Sequence, residues 1–172
     1  MARAIASFEE VVTFHGHACP GLALGYRAAA AALRELKAGR PEDEQLVAVV
    51  ENDSCAADAI QYVTGCTFGK GNLVFRDYGK HVYTFFNRES ARAVRISIRY
   101  QGDEPDREAR TRKILEAAED QVLTIQPIGG PAPEPARIFR SVRCARCGEM
   151  VMETRARLRE GEIVCIPCAE GG

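Results

Sequence analysis

No stretch of this chain is long and apolar enough to cross a bilayer. The longest apolar run, 28–33, is mostly alanine. Arg3 is not followed by an apolar segment, so no secretory signal is expected. Charge of one sign is also lacking: 23 Lys and Arg stand against 24 Asp and Glu, a formal net charge of −1. That balance gives no general pull toward nucleic acid or an anionic membrane. The seven cysteines cannot all pair, and four of them form two C-x-x-C pairs. Metal binding in a reducing compartment is therefore expected in place of a disulfide framework. The expectation is a cytoplasmic protein with no membrane association and no nucleic-acid partner. At 172 residues, 46% hydrophobic and 27% charged, the chain suits one ordinary core with a small appendage.

Histidine is scarce, with three residues in the chain, yet two of them fall in the window Phe14-His15-Gly16-His17-Ala18-Cys19-Pro20-Gly21. Imidazole and thiolate bind borderline and soft metals or do nucleophilic and acid–base work. The window runs into a helical pattern, with Cys19 at or beside the N-cap and Pro20 in the first turn, where its missing N–H costs nothing. A sulfur there meets unpaired N–H groups at the positive end of the helix dipole.

The periodicity predicts a short helix from Ser7 to Thr13 and a second from Gly21 to Ala38, ended by Gly39. Gly21 and Gly25 share a face of the second helix and permit close approach of another backbone. Residues 45–50 read as a buried strand. A third helix, capped by Asp53 or Ser54, carries Cys55 at its start and ends at Gly65. Residues 72–77, 81–87 and 94–100 read as strands, with Phe75, Val82, Phe85, Ile96 and Ile98 inward. A charged helix is predicted over 106–123. The segment 129–136, rich in Gly and Pro, reads as a semi-rigid linker between a core of residues 1–128 and a tail of residues 137–172.

In the tail, Cys144-x-x-Cys147 and Cys165-x-x-Cys168 are seventeen residues apart. Each pair can form a knuckle presenting two thiolates, and the spacing allows a hairpin to join them into a tetrahedral zinc site. About 35 residues cannot build a sufficient core alone, so zinc is expected to be structural, with no open coordination position. The tail carries seven arginines against five acidic residues, a weak basic bias that reads as a solvated face or a docking surface.

A second layout resembles the first: in Glu51-Asn52-Asp53-Ser54-Cys55 a strand ends and a cysteine opens a helix. Two helix starts can face one crevice. There His17, Cys19 and Cys55 would form a three-ligand site with an open position, with Cys55 as third ligand or reactive thiol and His15 as orienter or proton shuttle. Cys66, past the far end of that helix, reads as a buried thiol or a ligand brought back by folding. The stretch Gly65 to Asn72 misses the P-loop spacing; it is a glycine turn, or an anion-binding loop with Lys70 facing the crevice. His81 is a surface residue or a site residue.

The motifs FHGHxCPG, ENDSCxxDAIQ, GCTxGKGNL and YGK, in this order, resemble the FmdE family of formylmethanofuran dehydrogenase-associated proteins, closely over residues 8–87. The tail resembles four-cysteine zinc fingers of the TraR/DksA type. The resemblance implies an α+β core of antiparallel strands and helices around a groove, a homodimer, and a groove metal of unspecified identity separate from the tail zinc. It also implies a link to a molybdenum or tungsten dehydrogenase or its metallocentre, although no cysteine spacing here is that of a ferredoxin cluster. The expected function is a metal-binding protein that holds a metal or a small anionic ligand. The alternatives are a metal- or thiolate-dependent enzyme acting on a small one-carbon or sulfur substrate and a zinc-finger interaction module.

Overall fold

The computed structural model describes residues 5–102 and 104–171. The chain divides into two compact units, Met1–Pro135 and Ala136–Gly172.

In the first unit Ser7 and Glu10 form a reciprocal capping box that starts helix α1, Phe8–His15. The helix runs two residues past the expected Thr13 and stops at Gly16, whose φ of 101° only glycine adopts without strain. Helix α2, Pro20–Leu36, follows after three residues. It ends earlier than the sequence pattern suggests. Lys37, not Gly39, takes the left-handed position, and its N–H bonds back to Leu33 and Arg34.

Strand β1 (Leu46–Val50), helix α3 (Ala56–Thr64) and strands β2 (Leu73–Phe75), β3 (Val82–Asn87) and β4 (Arg92–Ile98) come next. Beyond them the predicted helix over 106–123 is a correction. Helix α4 spans Arg107–Glu116, α5 is a single turn at Glu119–Val122, and Leu123–Ile128 forms strand β5. The break has a visible cause: the Arg27 guanidinium donates to the carbonyls of Ile114, Leu115 and Ala117 at 2.8–3.0 Å. A cation thus closes the C-terminal end of α4, where unpaired carbonyls and the negative end of the dipole favour it.

The five strands form one sheet in the order β2-β1-β3-β4-β5, parallel only at β1–β2. Leu46, Ala48, Val50, Tyr83, Phe85, Val94 and Ile96 join α2 and α3 in a single core. Val82 is buried, whereas Phe75, expected inward, is exposed at the edge strand. Its neighbour Leu73 packs on the core instead.

Helices α2 and α3 approach at backbone distance. A Cβ on Gly25 would stand 2.4 Å from the Ala56 carbonyl oxygen and 2.6 Å from its Cα. A Cβ on Gly21 would meet Cys55 Cβ at 3.3 Å. The shared glycine face of α2 is thus the surface on which the start of α3 rests.

In the second unit two hairpins, β6 (Ser141–Arg143) with β7 (Met150–Met152) and β8 (Arg157–Arg159) with β9 (Glu162–Val164), are followed by helix α6, Ile166–Glu170. Its buried core is Cys144, Val164 and Cys165.

Gly25→Ala should lower stability by about 2–3 kcal/mol, because the obstacle is backbone and cannot swing aside. Thermal unfolding reads it as a fall in Tm, and an unchanged Tm would contradict the close approach.

Candidate metal centre

The His/Cys window occupies the corner between α1 and α2, and the local structure aims each side chain. His15 is the last residue of α1. Gly16 turns the chain sharply, and the rings of His15 and His17 stand 4.6 Å apart. Cys19 is the N-cap of α2, with Pro20 in the first turn as expected, and its Sγ accepts from Leu22 N–H at 3.4 Å. The ligand atoms of His15, His17 and Cys19 lie within 4.8 Å of one another. Cys19 is buried at 2% exposure, whereas His17 is open to solvent.

His15 stands closer to ligand than to orienter. Its Nδ1 is 2.7 Å from Asp58 Oδ2, across from α3. An ionised carboxylate only accepts, so Nδ1 carries the proton and Nε2 carries the lone pair. That Nε2 is buried with no hydrogen-bond partner. Asp58 is the residue sequence reasoning passed over, although it lies within the quoted ENDSCxxDAIQ motif. A pairing across 43 residues has no local signal.

Cys55 meets the window from α3, with its Cβ against Gly21. It falls outside the set of atoms within 4.8 Å, but burial and the neighbouring Cys19 thiol push its own thiol up. Unlike Cys19, it has helical dihedrals and makes no capping bond. Neither Asp53 nor Ser54 caps α3. The Ser54 hydroxyl donates to Asn52 Oδ1 at 2.9 Å, and the Asn52 amide donates to the Lys80 carbonyl at 2.8 Å, which fixes the turn before Cys55.

Three other residues are placed elsewhere. Lys70 lies beyond the C-terminal end of α3, about 14 Å of helix away from Cys55. The amides of Thr67, Phe68, Lys70 and Gly71 all donate within the chain, to Asn72, Gln61, Thr67 and Phe68. The loop is therefore a closed turn with no amide cradle for an anion. Cys66 is fully buried, and burial pushes its thiol up to about 11, so it is an inert core thiol. His81 is exposed and bonds the buried Tyr83 hydroxyl at 3.2 Å.

Arg107, at the start of α4, is a second residue the sequence did not single out. Its guanidinium lies 3.1 Å from His17 Nε2. It borders an open groove of ≈ 680 Å³ also lined by Phe8, Ala18, Thr111, Arg112 and Leu115.

In the tail, Cys144, Cys147, Cys165 and Cys168 present four sulfurs within 4.8 Å of one another. Gly148, at φ 77°, turns the first knuckle so that its N–H bonds the Cys144 carbonyl at 3.0 Å. The amides of Cys147 and Cys165 pull the Cys144 thiol down to about 6, while the Cys165 thiol beside it pushes Cys168 up to about 12.

Residues 14–127 match the family described as FmdE, Molybdenum formylmethanofuran dehydrogenase operon. The chain belongs to the FmdE family. Residues 137–171 match the prokaryotic dksA/traR C4-type zinc finger, so the FmdE core is followed by a four-cysteine zinc unit. A probable S-adenosyl-L-methionine-binding protein of Archaeoglobus fulgidus is 32% identical over 91% of this chain, and the chain spans half of that relative's length. The crystal structure of an FmdE-like protein of tungsten formylmethanofuran dehydrogenase, from Syntrophus aciditrophicus, superposes with a TM-score of 0.73. That likeness covers 100% of this chain and 98% of the other, at 24% identity, and it shows a shared fold. Among the described residues no helix is long and apolar enough to cross a membrane.

The donor set of the FmdE core fits a metal. A buried imidazole nitrogen with no partner is costly unless something takes its lone pair. Carboxylate, histidine and metal in line is the arrangement that orients metal-bound imidazoles.

The zinc unit depends on its metal, because two of its three buried core residues are ligands. Chelation of the tail zinc should abolish protection of 137–171 in hydrogen exchange while residues 8–128 keep theirs. Persistent protection of the tail after chelation would contradict this.

Proposed function

We propose that the core of this protein holds a transition-metal ion on His15, His17 and Cys19 and offers a small anionic ligand its remaining position. The buried, partnerless Nε2 of His15, with Nδ1 held by Asp58, carries this reading. Two imidazoles and one thiolate suit zinc and other borderline metals, and three protein ligands leave a position open. Such a metal acts there as a Lewis acid.

The chain's own residues set the conditions. Asp58 fixes the tautomer and ring plane of His15. The first turn of α2 fixes the Cys19 sulfur through Leu22 N–H. Cys55 stands beside them as a fourth ligand or a reactive thiol, and the structural zinc of the tail takes no part. The dehydrogenase named in the family's and the structural neighbour's descriptions supports a role beside such a metallocentre, and the motif resemblance supports a homodimer.

A second reading takes its ligand from the relative's description. The groove beside His17, with Phe8 and Leu115 along it, has room for S-adenosylmethionine. Titration calorimetry with that compound, using wild type and Phe8→Ala, supports this reading if heat is released and lost in the variant, and overturns it if none is released.

Elemental analysis tests the main reading. The full chain should hold two metal equivalents, Cys144→Ser/Cys147→Ser one, and Cys19→Ala one. Asp58→Asn should weaken core metal affinity by about 10- to 100-fold. Loss of all metal from the tail double variant would overturn the core site.

A further inference from the structure

The two histidines of the window stand in different states. His15 has a free lone pair aimed into the site. His17 does not. Its Nε2 lies 3.1 Å from the Arg107 guanidinium, which can only donate. Nε2 must therefore accept, and in a neutral ring the proton then sits on Nδ1. While that bond stands, neither nitrogen of His17 can ligate a metal.

We infer that Arg107 is a displaceable latch on the metal centre: it competes with the metal for His17 and, once displaced, binds the anion at the open position. The inference rests on the metal reading above. Two features make the side chain, and not the helix, the moving part. Asp106 caps the start of α4, accepting from Ala109 N–H at 2.6 Å, and Arg27 closes its other end. The Arg107 and His17 side chains are both exposed and free to turn into the groove that runs past Ala18. A released guanidinium beside a metal-bound anion supplies two parallel N–H donors, the geometry that suits oxyanions and other small anions.

Cobalt(II) titration of the full chain, with zinc kept in the tail, reads the competition through sulfur-to-metal absorption of the core. Azide added to the cobalt-loaded protein then serves as the anion probe. Arg107→Ala should bind cobalt about tenfold tighter, since a charge-assisted hydrogen bond no longer opposes it, and azide about tenfold more weakly. Arg112→Ala removes one positive charge from the same groove without touching His17, and should change neither. Equal cobalt affinity in wild type and Arg107→Ala, or the same gain in Arg112→Ala, overturns the latch. Core absorption that is absent in wild type, and equally absent in Cys19→Ala, overturns the metal reading and the latch with it.

Discussion

The close approach of α2 and α3 is the contact on which the core site depends. Gly25 lies against the backbone of Ala56, and Gly21 lies against Cys55. With any larger residue at 25 the helices would separate, and the start of α3 would leave the start of α2. Asp58 would then no longer reach His15 across the gap, and Cys55 would no longer stand beside Cys19. Two missing side chains thus set the distance between a carboxylate and the imidazole it orients. The intrinsic cost of glycine within a helix, about 1 kcal/mol relative to alanine, is tolerated for that geometry.

The two cysteine-bearing sites differ in how they are built. The tail site is local: two knuckles and two hairpins bring four sulfurs together within residues 136–172, and those sulfurs make up much of the unit's own core. With four ligands it is closed. The core site draws its ligands from one loop but its support from α3 and α4, and one side opens on a groove. A closed site suits a structural ion, and an open one suits exchange of a ligand.

This difference decides what the sequence revealed. The tail zinc was legible because C-x-x-C spacing is itself the geometry. Cys19 as an N-cap followed by proline was legible for the same reason, as was the glycine face of α2, which follows from helical periodicity. The role of Asp58 was not, because the pairing with His15 is made only by tertiary packing. Lys70 was misplaced because a glycine-rich loop looks alike in sequence whether its amides are free or used within the chain. The end of α4 escaped notice because Arg27, 87 residues away from Ile114, takes the carbonyls that a continuing helix would have used. Leu123 and Ile125 then alternate over too few residues before Pro127 to announce β5.

The central claim is that the core holds a metal on imidazole nitrogen and thiolate sulfur together. X-ray absorption at the metal edge, on cobalt bound in the core while zinc fills the tail, tests it most directly. Mixed coordination is predicted, with nitrogen scatterers near about 2.0–2.1 Å and sulfur near about 2.3 Å, the sulfur shell disappearing in Cys19→Ala. A shell of oxygen alone, or of four sulfurs, would contradict it.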